Sequence, residues 1–304
     1  MDEVPSTSVG PLLLGILLNT YLYGLVTNQY VNYVKHKFND PAWIKAIVIV
    51  LFAVDTAHTI VGVYAAWDMC VANFNNPDYL SRVNWSIPFT AVAAGTSGAV
   101  TQIFLIHRVF KLTNNKCVVV VLVTLSAGSL VSGWMAGIRA GIIGEVRKFN
   151  LINPLVTCWL TLLAAVDLLI TAILSFVLSR SKTGFRRTDT IINRLIRGAI
   201  QTGLFAFVFA LSDLISFRFA PNTTFYGLFA FPIGRIYTNT LLDTLNARMV
   251  FYRMDQQSSS GRWQTGVATN AFHIQTCMHQ TFVNVPPDTL VAESAEEVVE
   301  GDEK

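Results

Sequence analysis

Seven long apolar stretches alternate with short polar connections along the chain. They run Pro11–Val34, Trp43–Trp67, Ile87–Phe110, Cys117–Ile138, Leu155–Ser179, Leu195–Phe219 and Phe225–Arg248. A bilayer core about 30 Å thick needs about 20 apolar residues in helical form, so each stretch predicts one crossing. The connections, such as Lys35–Pro41, Asn73–Asn84 and Pro221–Thr224, are rich in Asn, Asp, Pro and Gly. Most are too short to hold a folded soluble insertion. No internal repeat of the kind built into inverted-repeat transporters is visible. The pattern predicts an all-α protein, a seven-transmembrane-helix bundle over residues 11–250, with a short segment 1–10 before it and a polar tail 251–304 after it.

Composition strengthens that reading. Of 304 residues, 52% are hydrophobic and 13% charged, and the mean hydropathy is +0.47. Soluble domains carry about 25% charged residues, so roughly half the usual charge is missing. The net charge of +3 is small and its basic residues sit in short loops, which argues against a nucleic-acid partner. Four Cys are too few for a disulfide scaffold. The segment Met1–Ser8 carries Asp2 and Glu3 and no basic run, so the first apolar stretch reads as a retained helix rather than a cleaved leader. The expected location is the plasma membrane or another membrane of the secretory pathway, with the lipid bilayer as the first partner.

Charge placement gives the helices a direction. With the N-terminus outside, sixteen of the 22 Lys and Arg fall on the inner side, five on the outer side, and Arg235 inside a span. Basic residues concentrate on cytoplasmic loops, so the C-terminal tail is expected in the cytosol. Two glycosylation sequons, Asn84-Trp85-Ser86 and Asn222-Thr223-Thr224, fall in loops placed outside by this topology. Cys70 and Cys158 also land near the outer face. There they form either a disulfide, which that compartment permits, or two ordinary small buried thiols.

Charges inside a membrane are costly, by about 2.5–3.5 kcal/mol each on insertion scales, so each needs a partner or a cavity. The second helix carries Asp55 and His58 on one face with Thr59 beside them, and the fifth carries Asp167. The sixth carries Asp213 between Ser212 and Ser216, and the seventh carries Arg235, Asn239 and Asp243 at intervals of four. At 1.5 Å per residue, Asp55 and Asp167 lie roughly 18 Å deep and His58 and Arg235 roughly 14 Å deep. Arg235 is therefore expected to pair with Asp55 or Asp167 near the midplane. The cluster Asp55, His58, Asp167, Arg235 and Asn239 is either the lining of a ligand cavity or a polar clasp between helices. Asp213 and Asp243 are secondary positions, shallower and nearer the inner end respectively.

Catalytic signatures are sparse. No helix carries metal-ligand His or Glu spacing, and no nucleophile elbow or phosphate loop occurs. The seventh helix lacks the Lys that a retinal Schiff base requires. No catalytic residue, metal or cofactor is expected, and an enzyme is the least favoured class. The connection Ser179–Arg197 holds Arg180, Lys182, Arg186, Arg187, Arg194 and Arg197. It reads as inner-face anchoring, as a headgroup-binding surface, or as a docking site for a cytosolic partner at 180–197 and the tail. Thr188 or Asp189 is the expected cap of the sixth helix. The tail turns polar from Asp255 and acidic at its end, a composition that cannot offset ordering entropy by apolar burial.

Several of these segments carry a resemblance. Asp55-Thr56-Ala57-His58, Gln102-Ile103-Phe104 with Arg108, Lys182-Thr183-Gly184-Phe185-Arg186-Arg187-Thr188-Asp189, Ile192-Asn193, Thr202-Gly203-Leu204, Tyr237-Thr238-Asn239-Thr240-Leu241-Leu242 and Leu245-Asn246-Ala247-Arg248 are the residues concerned. With them the chain resembles a large family of fungal, mainly basidiomycete, seven-helix membrane proteins of unknown function. The resemblance covers about residues 10–253, and 167–250 is similar to that family's C-terminal domain. Arg235 stands where the family has Lys, so the basic charge is kept. The resemblance implies topology and membrane location and no activity. Two functions stay open: a receptor-like sensor with a polar interior cavity for a small-molecule ligand, and a transporter or channel-like conduit for a small solute or ion.

Overall fold

The computed structural model describes residues 3–36, 40–74, 76, 83–145, 148, 151–180, 186–219 and 224–246. Among them the chain forms seven α-helices: α1 Glu3–Lys35, α2 Ala42–Trp67, α3 Ser86–Thr113, α4 Lys116–Ile143, α5 Asn153–Arg180, α6 Arg186–Phe219 and α7 Phe225–Asn246. A π-helical turn, Asp68–Ala72, extends α2. No β-strand occurs among the described residues.

The boundaries follow local chemistry. Asn114 adopts the left-handed conformation (φ 51°) that ends α3, and the Asn115 side chain then accepts from the Cys117 amide to cap α4. Gly144 (φ 68°) closes α4 in the same way, the usual use of Asn and Gly past a helix end. The buried carboxylate of Asp68 gathers the end of α2 to the start of α3. It accepts from Asn73 Nδ2 at 3.1 Å and from Asn84 Nδ2 at 2.7 Å. The amide nitrogen of this candidate glycosylation residue is thus engaged by Asp68; Asn222 lies outside the described residues. α6 starts at Arg186, which puts Thr188 and Asp189 in its first turn rather than at the cap position expected for one of them.

Among the described residues, six segments are long and apolar enough to cross a membrane: Val9–Lys35, Ala42–Ala72, Ser86–Thr113, Lys116–Ile143, Asn153–Arg180 and Ile196–Phe219. This makes the chain an integral membrane protein. α7, at 22 residues, spans about 33 Å but holds no stretch as apolar as those six. Its position explains this: α7 packs on α1, α2, α3 and α6 and buries most of its length. The helices close a ring in chain order, and α3 and α7 also meet across its middle. The arrangement is inside-out by the standard of a soluble protein. Leu17, Ile49, Ile60, Val120, Ile138 and Phe176 are exposed on the outside, while Asn19, Asp55, His58, Gln102 and Arg235 are buried within. Such a surface suits lipid.

Small residues set the closest approach. A Cβ on Gly15 would collide with the backbone of Gly227, and one on Gly227 with the Leu12 side chain. α1 and α7 therefore touch backbone to backbone, the contact that drives helix association where lipid removes the hydrophobic incentive. Gly15→Ala is expected to destabilise the protein by about 1–3 kcal/mol, read as a lower thermal midpoint in nanodiscs. Gly24→Ala, where nothing lies within 4 Å, is the control and should leave the midpoint unchanged or slightly raised.

Candidate functional site: a polar framework and two cavities

α7 presents polar side chains to three neighbours. Arg235, 1% exposed, donates through Nη1 to Asp55 Oδ1 of α2, itself fully buried. Its Nη2 donates to the Asp55 main-chain oxygen at 2.6 Å and to Thr59 Oγ1 at 3.1 Å. The Tyr30 hydroxyl donates to the other Asp55 oxygen at 3.3 Å. The Tyr23 ring lies 5.6 Å from the guanidinium carbon, a cation–π distance. Of the two carboxylates open to it from the sequence, Arg235 takes Asp55.

Asp167 belongs to a separate network. It accepts from Gln102 Nε2 of α3 at 3.0 Å and from the Tyr237 hydroxyl of α7 at 2.5 Å, and Ser126 of α4 donates to Gln102 Oε1 at 2.8 Å. Tyr237 lies two residues beyond Arg235, which turns it about 200° around the helix, away from α2 and toward α5. Four residues after Arg235, Asn239 accepts from Gln29 of α1 at 2.8 Å, and Asn246 Nδ2 donates to the Gln29 main-chain oxygen at 3.0 Å. Asp243, the third residue of that stripe, is exposed. His58 Nε2 meets Thr90 Oγ1 at 3.2 Å, and its ring stacks on Phe231 at 5.8 Å with an 11° tilt.

Two cavities flank this framework. The larger, about 70 Å³, lies toward the face at which α1 begins, which we term the N face. Thr90, Trp159, Asp213, Phe217, Tyr226 and Phe231 help line it. The smaller, about 30 Å³, lies toward the opposite face and is lined in part by Arg108, Asp167, Thr171, Tyr237 and Thr240. α3, α5, α6 and α7 line both cavities. Between them lie Leu163 on α5, Ala210 on α6 and Ile233 on α7, buried and apolar, and Ser97, Thr101 and Gln102 on α3, buried and polar. We call the Leu163–Ala210–Ile233 level the plug.

Charged and polar positions within the apolar stretches mark Asp55, His58, Asp167, Asp213, Arg235 and Asn239 in the sequence, but not the partners they take. Tyr30, Gln102, Ser126 and Gln29 carry no charge to single them out, although Gln102 stood in a segment of resemblance. Asn19 was missed too. It is fully buried, and neither of its amide atoms has a hydrogen-bond partner among the described residues. Of the two states open to Cys70 and Cys158, the structure shows free thiols, neither of them buried. Cys70 sits on the π-helical turn after α2, whereas Cys158 is exposed on α5, and those helices are not packed neighbours.

Residues 163–250 match the model of a family of unknown function, DUF6534. The match takes in α5 from Leu163 onward and all of α6 and α7, hence Asp167, Asp213, Arg235, Tyr237 and Asn239. It leaves out Asp55 and Gln102, so each polar network joins the DUF6534 segment to helices preceding it. No curated protein matches the chain, and no solved structure does.

Removing one member of a buried ion pair strands the other charge and costs about 3–5 kcal/mol, whereas replacing both by apolar groups costs far less. Arg235→Met alone is therefore expected to lower the thermal midpoint sharply. The pair Arg235→Met with Asp55→Leu should recover most of that loss, measured as a double-mutant cycle in the same nanodiscs.

Proposed function

We propose that this protein is a receptor-like membrane sensor, with the N-terminus and the larger cavity outside and the basic 180–197 connection and tail in the cytosol. One observation carries the reading: a layer of buried residues at the level of the Leu163–Ala210–Ile233 plug lies between the N-face cavity and the other half of the bundle, while the cavity wall touches the polar framework. Thr90 and Phe231 both line the cavity and both contact His58. His58 lies three residues from Asp55, hence on the same face of α2 as the Arg235 clasp. A ligand that moves Thr90 or Phe231 acts on His58, and through α2 on the helix that holds α7.

The clasp itself is a tie between helices rather than a ligand site, since Arg235 and Asp55 are fully buried against each other. The DUF6534 match leaves the activity open. A conduit is the competing reading, and the second cavity beyond the plug favours it. Transport needs the plug to part; sensing needs only a shift of the helices around it.

The two readings separate in reconstituted protein. Cys117, exposed in the first turn of α4 at the opposite face, is labelled with an environment-sensitive dye after Cys70, Cys158 and Cys277 are changed to Ser. Small molecules from a panel that raise the thermal midpoint should also change the dye signal. Ala136→Phe, which fills the N-face cavity, should abolish both effects. Accumulation of the same compounds inside proteoliposomes, or stabilisation without any change at Cys117, would refute the sensor.

A further inference from the structure

The buried carboxylates of this bundle are matched to their surroundings in different ways. Asp55 has a guanidinium, Asp167 a tyrosine hydroxyl and a carboxamide, and Asp68 two asparagine amides. Asp213 differs. It is 3% exposed, sits about six residues from the end of α6, and lines the N-face cavity. No Lys, Arg or His is among the residues lining that cavity. Asp213 thus lines a chamber to which no described lining residue brings a positive charge.

The rest of the wall says what kind of cation suits it. Phe217 follows Asp213 by one helical turn on the same face, and its ring packs edge-on against Tyr226 at 5.6 Å and 79°. Trp159 and Phe231 add two further rings to the lining. Aromatic faces attract cations, most strongly those that shed water readily. A metal ion is a poor match, because calcium takes six to eight oxygen ligands, whereas this wall offers one carboxylate and few hydroxyls. Thr90, one of those hydroxyls, already donates to the Ser86 main-chain oxygen and meets His58. An anion is repelled by Asp213, and a neutral apolar molecule leaves the carboxylate unpaired. The volume is also restrictive. At roughly 10–15 Å³ of such space per water-sized group, about 70 Å³ holds about five to seven heavy atoms.

We infer that the N-face cavity is a binding site for a small organic ammonium, a methylated amine or quaternary ammonium head, with Asp213 as its counter-ion and Trp159, Phe217, Tyr226 and Phe231 as the surrounding rings. The assignment rests on the sensor reading of the same cavity and adds the ligand class. The positive charge stands next to Asp213, where no described lining residue brings one, and the rings cover the methyl groups. Through Phe231, which also stacks on His58, the bound head touches the framework that carries the signal.

The test uses full-length protein in nanodiscs at constant ionic strength. The probes are tetramethylammonium, choline, and 3,3-dimethylbutan-1-ol, the neutral carbon analogue of choline. Both cations should raise the thermal midpoint in a saturable way, and the neutral analogue should bind at least about tenfold more weakly. Asp213→Asn should weaken both cations by at least about tenfold and narrow the gap to the neutral analogue. Phe217→Leu, which keeps the volume nearly apolar and guards against a misfolded Asp213 variant, should weaken them about three- to tenfold. Equal binding of choline and its neutral analogue, unchanged by Asp213→Asn, would overturn the ammonium assignment while leaving the sensor reading intact. Absence of binding by both cations overturns it as well. The sensor reading falls separately, if no compound of the wider panel binds in a manner blocked by Ala136→Phe.

Discussion

A guanidinium placed in the middle of an apolar bundle has no water to turn to, and everything around Arg235 follows from that constraint. An isolated charge at such depth costs several kcal/mol, so the side chain recruits Asp55, the Asp55 main-chain oxygen, Thr59 and the face of Tyr23. Those partners come from α1 and α2, whereas Arg235 belongs to α7. The charge therefore specifies which helices are neighbours and at what height they meet. Apolar contacts alone leave register loosely defined, because one lipid-like surface slides over another at little cost.

The same logic places α7 at the heart of the fold. A helix with Arg235, Asn239, Thr238 and Thr240 is a poor membrane crossing when exposed to lipid, and it is stable where α1, α2, α3 and α6 surround it. Its glycine contact with α1 brings the backbones together and gives the short polar side chains the reach to bond across. Tyr237 completes the arrangement from the opposite face by holding Asp167. One helix thus binds three partners through residues spaced two and four apart.

The two cavities lie above and below the Leu163–Ala210–Ile233 level. The upper cavity is apolar and aromatic with one carboxylate; the lower is edged by Arg108 and Asp167. Their walls share helices but not residues. Thr90 and Phe231 stand at the boundary between the upper cavity and the clasp, and His58 is the contact they have in common. Binding energy in the cavity and the geometry of the polar framework are therefore mechanically adjacent.

The sequence by itself determined the all-helical class, the positions of the long apolar helices and the charged residues that had to turn inward. It did so because hydropathy over about 20 residues is a local property and because a charge in lipid is forbidden wherever the helix goes. The helix ends at Asn114 and Gly144 are local as well, written in the left-handed conformations those residues accept. Only the tertiary structure decided that Arg235 takes Asp55 and leaves Asp167 to Tyr237 and Gln102, since depth along a helix does not say which way a side chain points. The same holds for the free Cys70 and Cys158, which lie near one face but on helices that do not pack together. The cavities follow from the same source: Asp213 and the aromatic residues around it are separated by tens of residues along the chain, and nothing local to any of them announces the space they enclose.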